Sequence, residues 1–527
     1  MQMAYLWNKS SFFKYIEIFY ILLVLLLSAH FLLERIEHRT IPQGDEGSWM
    51  AVAAELSRGH GFTTRWLEHP FLLPYQIPRP DDYRYPALTM IIAAVFKVSG
   101  ISYDNALYTV AAIFLLFLLS AYIATRFVYG RLTATVSIAL MSISLLQLFY
   151  NSNIYCEGLF GIVLSIFIFF TSLYKPSQLK WWIAAGIFTG LLYLVRPNGI
   201  LFLAGIVLYY IIARRTQKIN IWFPVAAIVT ALIVTLPWLI RTYHYFGNPF
   251  HIAGSAGLLR ANFQEPLTYS FSDFVRIHGI SYFFDSIKHG FIKFFEILDF
   301  QEHQLEIIPL SFCIAGILLR IPFFSPVVLI SFLLTFFACA YSSRESWAGV
   351  RYFSSFIPFV YAYGIHSLLV LTRKYIPKKI YALTLINIFV SSTLIFICVL
   401  PVYYPHKYYE KTFSKPFTKL SFDAYYTELA RMTEHNKYYF ACSLAQLNFA
   451  TSLNCIGMNI FLDETEILRA QNNFKPSLMV LTKKEWESRR IKKLVNALEK
   501  NGYELKADSE NSFAMYILIR KSLDRQN

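Results

Sequence analysis

Charged side chains are scarce in this 527-residue chain, where Asp, Glu, Lys and Arg together make up only 15%. Soluble domains carry about a quarter of their residues as charges, so the deficit excludes an ordinary soluble protein. Hydrophobic residues take 56% of the chain and aromatic residues 18%, and the mean hydropathy is +0.43. The composition therefore predicts a mainly α-helical protein that crosses a membrane many times.

Several sequence motifs are missing too. The chain has no Walker A sequence and no dinucleotide-binding glycine motif in a suitable context, which argues against a reaction driven by ATP. Its six cysteines include no Cys-x-x-Cys pair, so a structural zinc site is not expected. The net charge of +15 comes from short Lys and Arg clusters between apolar runs. That pattern is typical of cytoplasmic loops and does not indicate a nucleic-acid partner.

The first apolar run, at residues 16–33, is predicted to be a signal-anchor helix, because it is too long for a signal-peptide core and lacks a cleavage site. Lys9 and Lys14 precede it and place the N-terminus in the cytoplasm. The segment 87–98 is shorter than the roughly 20 residues that cross a bilayer, so we expect it to be an interfacial or re-entrant segment. Further spans are predicted at 106–126, 132–150, 155–173, 181–195, 199–213, 221–240, 305–320, 323–341, 353–372 and 380–400.

The basic clusters support this topology. If 87–98 stays outside the membrane, every later cluster falls on the cytoplasmic side; if it crosses, the loops after the first violate the positive-inside rule. About eleven spans are predicted, with the C-terminal end outside the cytoplasm. The clusters are Arg126/Arg131, Lys175/Lys180, Arg214/Arg215/Lys218, Arg320 and Arg373/Lys374/Lys378/Lys379.

Two domains are predicted. Residues 1–400 form a transmembrane domain with extracytoplasmic loops 34–105 and 241–304, and residues 401–527 form a small extracytoplasmic α/β domain. In the second, strand-like runs alternate with helical stretches. Cys442 and Cys455 lie there, and a disulfide between them requires that they face each other, which the sequence leaves open. The strand-like runs are 438–442, 478–482 and 513–519, and the helical stretches lie near 421–434 and 483–500.

Two adjacent carboxylates, Asp45 and Glu46, follow the first span directly. Each polar residue near a span end has an ordinary alternative role; Arg351-Tyr352, for example, could be a snorkelling anchor. The predicted topology nevertheless collects the unusual residues on the extracytoplasmic face, and this convergence predicts one shared pocket. Its other members are Arg84, Glu157, Arg196, Arg241 and Arg260.

A carboxylate surrounded by arginines at a membrane surface suits the transfer of a sugar from a lipid phosphate. The acceptor hydroxyl needs a general base, which a carboxylate within hydrogen-bond reach provides. The departing phosphate accumulates negative charge, which guanidinium groups stabilise through forked, charge-assisted bonds. No nucleotide is needed for this chemistry.

The order of these features resembles the GT-C superfamily of polyprenyl-phosphate-sugar-dependent glycosyltransferases. It is most similar to the protein mannosyltransferase branch, which includes the aminoarabinose transferase acting on lipid A. The similarity covers roughly residues 10–370. It is carried by Gly44-Asp45-Glu46-Gly47-Ser48-Trp49-Met50-Ala51 continuing to Gly59, Tyr85-Pro86-Ala87-Leu88, Arg126 to Gly130, Leu194-Val195-Arg196-Pro197-Asn198-Gly199, Pro237-Trp238-Leu239-Ile240-Arg241 and Arg351-Tyr352-Phe353.

The resemblance implies roles for individual residues. Asp45 is expected to be the catalytic carboxylate, Glu46 its neighbour, and Glu157 the second acidic position at the outer end of a later span. The donor phosphate is expected to bind Arg84, Arg351 and Tyr352. Arg196, Arg241 and Arg260 are the remaining candidates for that phosphate site.

The sequence departs from the family at two positions. Tyr85-Pro86 replaces Pro-Pro, and Tyr83 stands where the aminoarabinose transferase has an acid, which puts transfer of that sugar in doubt and removes a possible metal ligand. Glu46, Asp81 and Asp82 remain candidates for a divalent metal, although the mechanism requires no cofactor.

The leading prediction is an integral-membrane glycosyltransferase that moves a sugar from a polyprenyl-phosphate donor to a lipid, glycan or protein acceptor. A bacterial inner membrane is the family-level expectation. One alternative is a secondary transporter, although its ionisable residues would lie at the bilayer midplane. Another is a polysaccharide ligase or polymerase that takes a lipid-diphosphate donor, because the same arginines would serve it.

Overall fold

The computed structural model describes six long stretches of the chain and several short ones. The long stretches are 11–37, 45–67, 74–251, 271–299, 304–343 and 348–375. The short ones are 437–441, 454–457, 472–482, 496, 499–500, 502–508 and 515–520. Several predictions concern residues outside this description, namely the span 380–400, the helical stretch 421–434, Arg260 and Cys442.

The described chain is mainly helical, as the composition predicts. Within the described residues, helices occupy the predicted spans with ends that differ by about six residues or fewer. The first is longer than predicted, at 11–37, and the span predicted at 132–150 is divided into two helices at Ser144. The helices are α1 (Ser11–Glu37), α2 (Glu46–Ser57), α3 (Pro86–Ser99), α4 (Tyr103–Tyr129), α5 (Arg131–Ile143), α6 (Leu145–Asn151), α7 (Glu157–Leu173), α8 (Leu179–Val195), α9 (Ile200–Ala213), α10 (Trp222–Phe246), α11 (Phe271–Asp299), α12 (Gln304–Leu318), α13 (Pro326–Ser342), α14 (Ala348–Phe353) and α15 (Ile357–Tyr375).

Four helical segments within the described residues are long and apolar enough to cross a membrane by themselves: Glu17–Glu37, Tyr103–Tyr129, Trp222–Phe246 and Gly349–Thr372. Several shorter apolar helices of 10–17 residues accompany them. One of these is α3, which coincides with the segment 87–98 that we expect to be interfacial or re-entrant. The count of eleven spans stays a prediction.

Small residues allow the helices to approach each other closely. Helices α8 and α10 pack through Gly186, where an added Cβ would lie 2.2 Å from the carbonyl oxygen of Ala227. Gly161 on α7 faces the ring of Phe117 on α4 with the same lack of space. Close backbone contact through small residues is the usual way in which helices associate in a bilayer.

Helix α11 occupies part of the segment 241–304 that the sequence predicts to be a loop. Its backbone is kinked at Gly279, where φ is 79°, and Phe294 on it is fully buried. Gly290 lies against the backbone of Ala340 on α13. The hydropathy pattern does not reveal this helix, because charged residues such as Arg276 and Lys293 interrupt its apolar positions.

Helix α2 is the element that carries Asp45, and it has a well-defined C-terminal end. Gly59 adopts a φ of 85°, its N–H donates to the carbonyl of Leu56, and the N–H of His60 donates to the carbonyl of Glu55. These two bonds form a Schellman motif. They fix the direction in which the chain leaves the helix.

The described strands form a two-stranded pair and a six-stranded mixed sheet. The strands are β1 (Thr63–Thr64), β2 (Trp66–Leu67), β3 (Arg79–Pro80), β4 (Tyr438–Ala441), β5 (Asn454–Gly457), β6 (Leu478–Thr482), β7 (Tyr503–Asp508) and β8 (Met515–Arg520). The larger sheet has the order β2-β5-β4-β6-β8-β7. The pairs β2–β5, β5–β4 and β4–β6 are parallel, and β6–β8 and β8–β7 are antiparallel.

Strands β4, β6 and β8 occupy the three predicted runs, whereas β5 and β7 do not follow from the sequence pattern. The first loop contributes β2, the edge strand of this sheet, in which Trp66 pairs with Cys455. A separate C-terminal α/β domain stays a prediction, as does the pairing of the buried Cys455 with Cys442.

Candidate active site

Asp45 lies between two guanidinium groups at the N-terminus of α2. Its Oδ1 accepts a hydrogen bond from Arg84 Nη2 at 3.1 Å and its Oδ2 accepts one from Arg351 Nη1 at 2.7 Å. Asp45 occupies the N-cap position but makes no side-chain capping bond, although such a bond typically contributes about 1 kcal/mol. The carboxylate is directed to the arginines instead of to its own helix.

Glu157, the first residue of α7, holds the arginines from the other side. Its Oε1 accepts hydrogen bonds from Arg351 Nε at 2.6 Å and from Arg196 Nη1 at 2.8 Å. Ser355 Oγ donates to its backbone carbonyl at 2.9 Å. Arg351 therefore links the two carboxylates, and residues 45, 157, 196 and 351 meet although they are far apart in the chain.

Aromatic rings complete the positioning of the guanidinium groups. Arg351 lies 3.7 Å from the ring centroid of Tyr155, and Arg196 lies 3.8 Å from that of Tyr352. Arg84 lies 4.4 Å from the ring of Tyr83. These are cation–π distances, and the π-faces leave the N–H edges of the guanidinium groups directed toward their acceptors.

Arg84 is held at both its backbone and its side chain. Its N–H donates to Asp81 Oδ2 at 2.8 Å, and its Nε donates to Ser48 Oγ at 2.5 Å. Ser48 in turn donates to the carbonyl of Asp45 at 3.0 Å. The first turn of α2 and the turn before α3 are thereby joined at the candidate site.

A second group of ionisable residues lies beside the first. Asp82 accepts hydrogen bonds from Arg79 and from His251 Nε2, the latter at 2.8 Å. Arg241 Nη2 donates to the carbonyl of Asp81 at 2.9 Å. Arg241 therefore braces the loop that contains Asp81 and Arg84, with its Nη2 directed to backbone carbonyls.

The three proposed metal ligands have other partners in this geometry. Asp81 and Asp82 are engaged as described above, and Glu46 is fully buried, accepting from the N–H of Ile154 at 2.9 Å and from the hydroxyl of Tyr103 at 3.0 Å. Within the described residues, no group of three or more His, Cys, Asp or Glu side chains could hold a metal ion. A divalent metal therefore stays a prediction. In the present geometry the carboxylates of Glu46, Asp81 and Asp82 are engaged by other partners and do not form a metal site.

The cluster combines an excess of positive charge with one accessible carboxylate. Three guanidinium groups, those of Arg84, Arg196 and Arg351, face two carboxylates. The side chain of Asp45 is 33% exposed, whereas that of Glu157 is fully buried. A ligand can therefore reach Asp45 directly, and an anion beside it would be attracted by the net positive charge.

The arginines also determine the protonation of Asp45. Desolvation raises the pKa of its carboxyl, but the charges of Arg84 and then Arg351 more than offset this, so the pKa lies well below the usual 3.8. The carboxylate is thus ionised at neutral pH. An anion that shared the arginines would raise the pKa of Asp45, because it would partly offset their charge.

This pKa predicts a pH dependence of stability. Because the folded-state pKa is lowered, the Asp45 charge contributes stability that is complete above the unfolded value of 3.8 and is lost as the pH falls toward the folded value. The quantity to follow is the difference in melting temperature between the wild type and Asp45→Asn. We expect this difference to be constant above about pH 5 and to decrease at lower pH. Thermal unfolding of both proteins in detergent, measured down to pH 3, tests this; a constant difference throughout would contradict the lowered pKa.

The structure brings together most of the residues singled out in the sequence. Asp45, Glu157, Arg84, Arg351 and Arg196 form one hydrogen-bonded cluster, and Tyr352 stacks on it. Glu46 and Arg241 lie next to this cluster in bracing positions, and Arg260 is outside the described residues. Four contributions do not follow from the sequence pattern: Ser48, Tyr155 and His251 as partners, and Asp81 as the acceptor of the Arg84 N–H. Of these, Ser48 could have been found from its three-residue helical spacing to Asp45.

The chain combines a bundle of apolar helices with a short α2 and α3 after the first helix and an arginine-bound aspartate at the start of α2. Solved structures of glycosyltransferases and oligosaccharyltransferases share this fold. The first similar structure is ArnT from Cupriavidus metallidurans bound to undecaprenyl phosphate, at 13% identity over 98% of this chain and 99% of that chain, with a TM-score of 0.53. The archaeal oligosaccharyltransferase AglB from Archaeoglobus fulgidus, in complex with an inhibitory peptide and a dolichol-phosphate, matches at 11% identity over 98% of this chain and 75% of that chain, with a TM-score of 0.56. At identities of 11–13%, this likeness establishes the fold alone.

The sequence itself also matches a family. Residues 79–240 match the family model described as dolichyl-phosphate-mannose-protein mannosyltransferase. No curated protein sequence matches the chain significantly. The family match and the two structures confirm the resemblance to the GT-C superfamily and to its mannosyltransferase and aminoarabinose-transferase branch. Together with the apolar helices they identify an integral membrane protein.

Proposed function

We propose that this protein is a glycosyltransferase that transfers a sugar from a polyprenyl-phosphate donor to a lipid, glycan or protein acceptor. The observation that carries the proposal is the accessible Asp45 carboxylate between Arg84 and Arg351, at 3.1 and 2.7 Å. This supports the proposal because a carboxylate and two guanidinium groups lie within the reach of a single substrate. The lipid phosphates named with ArnT and AglB support the donor class.

In the proposed mechanism, the donor phosphate binds Arg84 and Arg351, and Asp45 faces the acceptor. Asp45 takes the proton of the acceptor hydroxyl or amine as that atom attacks the anomeric carbon. The bond between this carbon and the phosphate oxygen breaks, and its electron pair leaves with the lipid phosphate, whose charge the guanidinium groups stabilise. One direct displacement inverts the configuration at the anomeric carbon.

The remaining residues have supporting parts in this proposal. Glu157 and Arg196 hold Arg351 in place, because a buried carboxylate with two guanidinium partners fixes their direction. Tyr352 and Arg260 remain candidates for contacts with the donor. Glu46 and Arg241 brace α2 and the loop before α3. No cofactor is required, because the arginines supply the charge stabilisation that a metal would otherwise give.

The proposal includes the orientation predicted from the basic clusters. The Asp45 cluster then lies on the extracytoplasmic face of a plasma membrane, which is the bacterial inner membrane if the family-level expectation holds. A lipid-linked donor suits that location, since nucleotide sugars are cytoplasmic.

Deletion of the gene tests this function. We expect mass spectrometry of the envelope to detect one glycan or lipid that has lost a single sugar, together with accumulation of a polyprenyl monophosphate carrying that sugar. The wild-type gene should restore the product, and an Asp45→Asn gene should not. Accumulation of a lipid diphosphate would favour a ligase or polymerase instead. An unchanged envelope, with uptake of a labelled solute by proteoliposomes that contain the protein, would favour a transporter.

A further inference from the structure

Glu55, near the end of α2, is the centre of a second cluster of charges. Its side chain is only 3% exposed and accepts hydrogen bonds from Arg58 Nη1 at 2.9 Å, His60 Nδ1 at 2.9 Å and Arg65 Nε at 3.1 Å. Buried carboxylates are uncommon unless they are paired. This one lies at the opposite end of the same helix that begins at Asp45.

Arg65 extends the cluster into the strands. While its Nε donates to Glu55, its Nη1 donates to Asn454 Oδ1 at 3.3 Å. The carbonyl of Arg65 also accepts from the N–H of Cys455 at 2.9 Å, next to the parallel pairing of β2 with β5. One side chain therefore bridges α2 and the sheet, which the planar fork of a guanidinium permits and a lysine does not.

The connection between the two ends of α2 is stiff. The helix has 12 residues, a length of roughly 18 Å at 1.5 Å per residue, and its C-terminal end is closed by the Schellman motif at Gly59. A displacement of this end is therefore transmitted to Asp45 rather than absorbed by a flexible joint. Reacting groups tolerate little displacement, since a misplacement of about 1 Å can reduce a rate about 100-fold.

We propose that Glu55 and Arg65 are positioning residues: they fasten α2 to the sheet that includes β5 and so hold Asp45 at the distance the transfer step needs. This inference rests on the proposed function. It adds that the catalytic rate depends on the attachment of α2 to the sheet. Glu55 and Arg65 touch neither donor nor acceptor in this proposal and act through the helix.

Three variants distinguish a role in fastening α2 to the sheet from a role confined to the charge cluster around Glu55. Arg65→Lys keeps a charge beside Glu55 but removes the fork, and Asn454→Ala removes the acceptor on β5. The control is Arg58→Lys, because Arg58 pairs with Glu55 within the helix and has no described bond to the sheet. The backbone pairing of β2 with β5 remains in all three, so each protein is expected to fold.

The measurements are transfer kinetics and hydrogen exchange, each on the full-length protein in detergent or nanodiscs. Arg65→Lys and Asn454→Ala are expected to lower kcat about 10- to 100-fold while the donor KM stays within about twofold. Exchange of the amides of residues 46–57 should become faster in both variants, because the helix end is released. Arg58→Lys should retain the wild-type kcat and exchange. A double variant with both changes should be no slower than the worse single variant.

The inference would be overturned by unchanged exchange of residues 46–57 in both bridge variants, or by an equal loss of kcat in Arg58→Lys. A rise in donor KM without a fall in kcat would also contradict it, because it would place Arg65 at the donor. A failure of the proposed function is distinguishable, since the wild type would then transfer no sugar whereas the exchange measurement would still report on the bridge.

Discussion

Replacing Asp45 by asparagine is expected to abolish sugar transfer. The amide keeps the shape of the side chain and one acceptor oxygen, but it cannot take the acceptor's proton, and a general base typically contributes 100- to 10,000-fold to a rate. We therefore expect kcat to fall by at least about 1,000-fold while expression and donor binding remain largely intact. Single-turnover assays with a labelled polyprenyl-phosphate sugar, and a separate donor-binding titration, measure the two quantities.

The matched control is Asp273→Asn. Asp273 forms an exposed ion pair with Arg276 on α11, at 2.8 Å, and such exposed pairs contribute little. That variant should transfer at the wild-type rate. If Asp45→Asn also turned over at close to the wild-type rate, Asp45 would be removed from the role of base.

Replacing Arg351 by glutamine is expected to have the next largest effect. Arg351 lies between Asp45 and Glu157, at 2.7 and 2.6 Å, so its loss removes a phosphate-binding group and leaves two carboxylates with fewer partners. We expect kcat to fall about 100- to 1,000-fold, as for the loss of one oxyanion-stabilising donor, and the donor KM to rise. Arg351→Lys should be intermediate, since it keeps the charge but cannot bond both carboxylates through a planar fork.

The matched control for this second change is Arg276→Gln, in the exposed pair with Asp273, which should behave as the wild type. Size-exclusion profiles and melting temperatures show whether the Arg351 variants are folded. A folded Arg351→Gln protein with unchanged kcat and donor KM would contradict the proposed phosphate site.

The sequence reveals the helices well and the sheet poorly, for physical reasons. A membrane helix is marked by a long apolar run, because its backbone is satisfied within the segment and only its length and hydropathy matter. Strand β5 has only four residues, and one of its partners, β2, is distant in the chain. Strand β7 has three charged residues among its six, Glu504, Lys506 and Asp508, so it lacks the apolar run that marks β4, β6 and β8. Helix α11 was missed because its charged residues lower its hydropathy below that of a span.

The members of the candidate site were predictable, whereas their contacts were not. The predicted topology brings Asp45, Arg84, Glu157 and Arg351 to one face, and the structure joins them by hydrogen bonds. The sequence does not reveal that Glu157 is buried between two guanidinium groups while Asp45 is accessible. The two carboxylates differ in their burial, which decides whether a ligand can reach them. The burial of Glu157 depends on how α7, α8 and α14 pack, and the sequence does not show this.

The pairing of β2 with β5 has a consequence for biosynthesis. Arg65 and Asn454 are separated by 389 residues, so the contact requires almost the whole chain to have been translated, and contacts of such long range form late. The helices can enter the bilayer one after another as they emerge. The edge of the sheet at which β2 pairs with β5, by contrast, stays unfinished until residues 454–457 have been made. The proposed fastening of α2 to this sheet therefore predicts that nascent chains released earlier are inserted yet inactive.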